Sequence, residues 1–244
     1  MKVALLLIGR LDSFVQDYNS LKEIVLDKLS PDIFFSGHPN KEGLEYCEEK
    51  IKELWNPKKY ILREYTDDVR KEVHPNDRKF VGGRCATPHT WLSGMYNLKL
   101  VNQLKKEYEE ENEFTYDICI KARTDVIWHT PITDNEIERA KKDKNILIPT
   151  AWDFKSVSPF GMSDTSAICN SETMNKYASC IDYVDQYLNE GNVFHPETYN
   201  GIHIDRMGLM RIPITSGIDP FTKQPNRSGW FVMDPDRRSF LGRL

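Results

Sequence analysis

The stretch YDICIKARTDVIWHTPI, residues 116–132, decides the fold that the rest of the chain is expected to adopt. It begins with the apolar residues Ile118 and Ile120, continues with Arg123 and Asp125, and then becomes apolar again. This pattern is typical of a buried strand, and open α/β sheets bind their ligands at the carboxyl ends of such strands. The stretch therefore predicts a central strand that carries Arg123 and Asp125 to a ligand site.

The residues before this stretch alternate between strand and helix patterns. The predicted strands are residues 2–8, 32–37 and 59–65, and the predicted helices between them are residues 13–29 and 44–55. The first strand is a continuous apolar run ended by Gly9, which is typical of a strand buried on both faces. The order β-α-β-α-β favours a Rossmann-like sheet in an α/β fold.

A long charged segment follows, residues 66–87, and its Pro75 and Gly82-Gly83 pair predict a loop. Long loops in compact domains are often binding loops or lids. Arg84 is therefore a candidate to close over a phosphate, with an ordinary solvated charge as the alternative.

The second half of the chain continues the alternation of helices and strands. Predicted helices are residues 88–113, 134–142, 171–190 and 196–208, and predicted strands are residues 145–150, 163–169 and 209–214. Gly191 is expected to stop the third of these helices. The prolines and glycines from Gly217 onward predict an irregular tail.

Composition excludes several classes of function. The 33 Lys and Arg residues do not exceed the 37 Asp and Glu residues, and the net charge of −4 argues against a nucleic-acid binder. The five cysteines include no C-x-x-C pair, so neither a zinc site nor a disulfide framework is indicated. The first apolar run is too short for a signal peptide and soon reaches Arg10, and no stretch is long enough to span a bilayer. A cytoplasmic location is the expectation.

Six segments carry a resemblance to a known family: LLLIGRLDSF, PDIFFSG, YDICIKARTDVIW, ILIPT, GMSDTSAICNSETMNKY and FHPET. In this order they resemble bacterial and viral glycosyltransferase-like proteins of the GT-A type. In that family an R-x-D element after a YD strand stands where better-known relatives carry D-x-D. The resemblance covers nearly the whole chain up to about Pro213.

The resemblance implies one Rossmann-like GT-A domain, residues 1–244, with a central mixed, mostly parallel sheet flanked by helices. The donor half would be about 1–130, the acceptor half about 131–215, and the irregular tail 216–244. The implied function is transfer of a sugar from a nucleoside-diphosphate sugar, with UDP or GDP as the nucleotide, to a hydroxyl of a glycan or lipid-linked acceptor in polysaccharide biosynthesis. The alternative is an inactive nucleotide- or glycan-binding domain, and a viral protein would act in the host cytoplasm.

On the donor side the resemblance implies that Gly9 and Arg10 border the nucleotide and that Asp125 lies by the diphosphate and a metal ion. Arg123 replaces the first carboxylate of D-x-D and cannot ligate a cation. A requirement for manganese or magnesium is therefore left open, and Arg123 is a candidate to supply the positive charge instead. The alternative is a structural Arg–Asp pair at the sheet edge. His203 is a candidate late metal ligand, because related folds often complete the metal site from that part of the chain.

On the acceptor side Asp164 is the first candidate for a base that takes the proton of an acceptor hydroxyl, and Asp153 is the second. A turn-capping role is the alternative for Asp164. His195 and Glu197 are interpreted as capping the helix that begins at Pro196.

Aromatic rings suit the flat faces of sugars and bases. Trp91 on the long helix and Trp152 beside Asp153 are accordingly expected near the pocket.

Overall fold

A seven-stranded mixed sheet organises the computed structural model. The structure describes residues 1–64, 88–128, 130–149, 162–192, 194–214, 218–219, 224–225 and 231–233. The strand order is β3-β2-β1-β4-β7-β6-β8. β7 runs antiparallel to β4 and β6, and the other neighbouring strands are parallel. The predicted mixed, mostly parallel sheet is confirmed.

The first eight strands overlap the predicted segments, but the strand expected to carry Arg123 and Asp125 is divided into β4 and β5. The eight strands are β1 Val3–Arg10, β2 Asp32–His38, β3 Lys59–Leu62, β4 Ile118–Arg123, β5 Val126–Trp128, β6 Asn145–Pro149, β7 Ser166–Cys169 and β8 Met210–Ile214. The tail, for which irregular structure is predicted, includes the short strands β9 Ile218–Asp219, β10 Gln224–Pro225 and β11 Phe231–Met233. β9 pairs with β10, and β11 pairs with β5.

Helices cover both faces of the sheet. The helices are α1 Phe14–Leu21, α2 Leu44–Leu54, α3 Pro88–Glu111, α4 Asp134–Ala140, α5 Ser171–Tyr177, α6 Val184–Asn189 and α7 Pro196–Arg206. The first helix, α1, continues through a π turn, Lys22–Leu26, and a last α-helical turn, Asp27–Leu29. A 3-10 turn, Cys180–Tyr183, precedes α6. None of the helices in the described ranges is both long and apolar enough to cross a membrane.

The unbroken helix predicted for residues 171–190 is wrong, because the chain divides there into α5, the 3-10 turn and α6. In a continuous helix the carbonyl of Lys176 would accept a hydrogen bond from the amide of Cys180. Here it accepts from the hydroxyl of Ser179 (2.8 Å) and from Nε2 of His203 (2.8 Å). The hydroxyl of Ser179 and the ring of His203 therefore replace the amide of Cys180 as donors to this carbonyl, and α5 ends here.

The core lies in two layers, one on each side of the sheet. Side chains of α1 and α2 pack on one face, and side chains of α3, α5 and α7 pack on the other. A separate aromatic group links α3 to α7, because the ring of Trp91 lies edge-on to Phe194 (centroids 4.9 Å apart) and Tyr199 (5.3 Å). The long helix and α7 are thus fixed to each other above the carboxyl edge of the sheet.

The carboxyl ends of β1 and β2 approach each other through two glycines. Gly9 and Gly37 are register partners, and Gly9 has a φ of +123°. A Cβ atom on Gly37 would lie 1.9 Å from the carbonyl oxygen of Gly9. Only a residue without a side chain fits there, so β1 and β2 lie in close contact at this end of the sheet.

Candidate functional site

The pair formed by Arg123 and Asp125 lies where β4 ends. The strand predicted to run through both residues ends at Arg123, and the chain turns at Thr124 and Asp125 before β5. Nε of Arg123 donates to Oδ1 of Asp125 at 2.9 Å, and Nη2 donates to Oδ2 at 2.7 Å. Two parallel charge-assisted bonds of this kind hold a guanidinium in one orientation. The turn, rather than an extended strand, brings the two side chains together.

Electrostatics keep Arg123 charged. The carboxylate of Asp125 raises the pKa of Arg123, and this effect exceeds the opposing effect of burial. The side chain of Asp125 is 8% exposed, whereas 34% of the Arg123 side chain is accessible. The Asp125 carboxylate is therefore buried and holds the guanidinium in place, and the Arg123 guanidinium is accessible to solvent.

The turn after β4 is attached to the end of β1. The amide of Thr124 donates to the carbonyl of Ile8 at 3.0 Å, and its hydroxyl donates to the carbonyl of Arg10 at 2.7 Å. A Cβ atom on Gly9 would lie 3.2 Å from that hydroxyl. Gly9 and Arg10, both predicted site residues, thus lie directly beside the turn that carries Asp125. The exposed Arg10 guanidinium also pairs with Asp12 at 3.0 Å.

Asp164 reaches the same edge because β7 is antiparallel to β4. Ser166, the first residue of β7, pairs with Ala122, which immediately precedes Arg123. The carboxylates of Asp164 and Glu197 both raise the pKa of Arg123. The structure therefore brings Asp164 and Arg123, predicted from separate segments, into one polar group.

His195 and Glu197 belong to this neighbourhood. His195 occupies the N-cap position of α7, but its side chain makes no capping hydrogen bond, so the predicted capping role of His195 is wrong. Instead Nε2 of His195 lies 3.3 Å from Oε2 of Glu197. Burial lowers the pKa of His195, and the charge of Asp164 opposes this shift. The pair thus lies close enough to Arg123 and Asp164 to interact with them electrostatically.

Lys121 is a candidate site residue that was not predicted from the sequence. It lies in β4, it is 3% exposed, and its Nζ donates to the backbone carbonyl of Asp164. Burial lowers its pKa to about 8. The available signal was a lysine inside a strand that is otherwise apolar, because fully buried lysines occur rarely without a partner.

No family model and no curated protein matches the chain. Among solved structures, the crystal structure of mouse xyloside xylosyltransferase 1 in its apo form is similar, with a TM-score of 0.50 and 13% identity over 88% of this chain and 85% of that one. The chain has a glycosyltransferase-like fold. At this identity the likeness concerns the fold alone. It agrees with the GT-A-like, mixed α/β architecture expected from the sequence motifs.

Two predicted site residues of this glycosyltransferase-like fold have structural contacts. Trp91 is buried against Phe194 and Tyr199. His203 is fully buried, and its Nδ1 lies 2.9 Å from the hydroxyl of Tyr187 while Nε2 donates to the Lys176 carbonyl. Both ring nitrogens of His203 therefore bind protein groups.

The arrangement of Asp125 does not fit a divalent cation. Both of its carboxylate oxygens accept hydrogen bonds from Arg123. Within the described ranges, no group of three or more His, Cys, Asp or Glu side chains is placed to hold a metal ion. Accessible positive charge at this edge comes from Arg123 and Arg10. The candidates Arg84, Trp152 and Asp153 lie outside the described residues.

We expect the protein to lose stability as the pH falls below about 6.5. Burial lowers the pKa of His38, His195 and His203 from the ordinary 6.5. The unfolded chain therefore binds protons first, and each histidine removes up to roughly 1.4 kcal/mol of unfolding free energy per pH unit below its unfolded pKa. Above that pKa their contribution is fully present. Urea unfolding at about pH 7.5 and about pH 5.5 measures the effect.

The variant His203→Gln isolates one of these contributions. It should lower the free energy of unfolding at both pH values. The difference in unfolding free energy between the two pH values should be smaller than in the wild type. An unchanged difference would contradict a depressed pKa at His203.

Proposed function

We propose that the chain is a glycosyltransferase that moves a sugar from a nucleoside-diphosphate donor to a hydroxyl of a glycan or lipid-linked acceptor. The observation that carries the proposal is the Arg123–Asp125 pair. It lies at the carboxyl edge of the sheet beside Gly9 at the end of β1, and the charge of Asp164 acts on Arg123. The glycosyltransferase-like fold supports the same assignment. A cytoplasmic location, or the host cytoplasm for a viral protein, belongs to the proposal.

Arg123 acts on the leaving group. As the bond between the sugar and the β-phosphate breaks, negative charge develops on the departing nucleoside diphosphate. A fixed guanidinium stabilises that charge without reorganising during the reaction. Asp125 holds the guanidinium in one orientation, because it binds two of its nitrogens at once. Arg10 is the second cationic group at the same end of β1, and Arg84 remains a proposed third.

Asp164 faces the acceptor. In an inverting reaction it takes the proton of the attacking hydroxyl, with Asp153 as the second candidate for that role. A retaining reaction needs no separate base, and Asp164 then orients the hydroxyl. Trp152 remains proposed as a stacking surface for sugar or base, and Trp91 supports the site through its packing on α7.

A second candidate function is a non-catalytic domain that binds nucleotides or glycans. The occupation of both Asp125 oxygens by Arg123 favours it, because a D-x-D enzyme offers carboxylates to a cation and this pair does not. The two candidates differ in turnover, not in ligand binding.

A ligand screen tests both. The panel contains UDP, GDP and their sugars, with and without manganese, and it includes a xylose donor because the structural neighbour is by name a xylosyltransferase. A nucleoside diphosphate at about 100 times its dissociation constant should raise the unfolding midpoint by roughly 5 °C or more. The matching sugar should release nucleoside diphosphate when glycan acceptors are added. Binding without turnover would support the non-catalytic candidate, and no binding of either the nucleotides or the glycan acceptors would overturn both.

A further inference from the structure

Lys121 lies where a lysine needs a specific partner. Its strand, β4, lies between β1 and β7, and Lys121 is in register with Leu6 on one side and Ala167 on the other. It is 3% exposed, and a buried ammonium group is costly unless it is paired and hydrogen bonded. The partner that the structure provides is the backbone carbonyl of Asp164.

The segment that carries Asp164, residues 162–165, is also held from the side of α7. The amide of Met162 donates to the carbonyl of Glu197 at 2.9 Å, and Nδ2 of Asn200 donates to the carbonyl of Ser163 at 2.8 Å. Together with the bond from Lys121, these contacts fix three consecutive residues from two different elements. The Asp164 side chain remains half-buried and so reaches solvent.

Charge explains why a lysine suits this position. Asp164 and Asp125 favour the charged form of Lys121, whereas burial and Arg123 oppose it. The ammonium group therefore lies against the Asp164 segment on the inner side of the site, while Arg123 pairs with Asp125 on the solvent side. A neutral side chain at position 121 could donate the same hydrogen bond to the Asp164 carbonyl. It would not compensate the negative charge of the Asp164 carboxylate.

We propose that Lys121 is a positioning residue that holds Asp164 in place to face the acceptor hydroxyl opposite Arg123. The inference rests on the proposed glycosyltransferase function. Lys121 touches no reacting atom and acts only through Asp164, so its loss should affect acceptor use and leave donor binding unchanged.

Hydrogen exchange tests the contact without any assay of activity. In Lys121→Met, the peptide that covers residues 162–167 should exchange about 10-fold faster, as expected for the loss of one hydrogen bond to a charged group. Lys176→Met is the matched control, since Lys176 is an exposed lysine paired with Glu172 on α5. Unchanged exchange in Lys121→Met would overturn the proposal. Lys121→Arg, which keeps a charged donor, should restore most of the protection and provides a second variant if the first fails to fold.

Kinetics test the role. With a donor from the ligand screen, Lys121→Met should lower kcat at least about 10-fold, because small displacements of an orienting group are costly, and leave the donor dissociation constant unchanged. When Asp164 is already replaced by asparagine, Lys121→Met should lower kcat only slightly further. Additive losses, or a loss of donor affinity, would contradict action through Asp164. If the wild type turns over no donor while exchange responds as expected, the proposed function fails and the contact stands.

Discussion

Replacement of Arg123 by methionine is expected to lower turnover of the nucleotide-sugar donor by at least about 100-fold, the usual effect of removing one fixed donor that stabilises transition-state charge. The guanidinium is accessible, charged and held by two bonds to Asp125, so no neighbouring group can replace it in the same orientation. Steady-state kinetics with the donor found in the screen measure the effect.

The chain offers a matched control for this variant. Arg206 also binds a carboxylate with two nitrogens, at 3.2 and 2.7 Å from the oxygens of Glu190, but it lies at the far end of α7 from His195. Arg206→Met should therefore leave turnover unchanged. Arg123→Lys keeps the charge but loses the planar fork, and an intermediate rate is expected. A folded Arg123→Met protein with nearly normal turnover would rule out the proposed role of Arg123.

Gly37→Ala should destabilise the protein by about 3 kcal/mol or more, at the upper end for overpacking in a core. The added Cβ atom would lie 1.9 Å from the carbonyl oxygen of Gly9 and 2.8 Å from the ring of Phe35. The carbonyl of Gly9 cannot move away without separating β1 from β2. Chemical denaturation gives the loss of unfolding free energy.

Gly94→Ala is the control for Gly37→Ala. Gly94 lies in α3, and a Cβ atom there would meet nothing within 4 Å. Alanine should stabilise that helix by roughly 0.5–1 kcal/mol. Equal stabilities for the two variants would show that β1 and β2 do not approach as closely as the structure indicates.

Local patterns sufficed to predict much of the fold. The apolar runs that became β1, β2 and β4 depend on burial alone, and Pro88 begins α3 as expected for a proline in the first turn of a helix. The break between α5 and α6 was not predictable in this way. It depends on His203, a residue of a different helix that takes the carbonyl of Lys176.

The candidate site likewise contains residues whose position could be predicted from local sequence and others whose position depends on tertiary packing. Arg123 and Asp125 were predictable, because they follow an apolar strand and strand ends in α/β sheets bind ligands. The partner of Lys121 was not, because Asp164 becomes its neighbour only through the antiparallel pairing of β4 and β7. The position of His195 beside Asp164 likewise depends on where α7 packs.

The reversed direction of β7 also matters for protein engineering. In a wholly parallel sheet, the segments that follow the strands build the whole site, and changing one of them alters several subsites. Here residues 162–165 precede their strand, whereas Arg123 and Asp125 lie at the end of theirs. For the proposed glycosyltransferase, we therefore expect that exchanging residues 162–165 would change acceptor preference and leave the donor side intact.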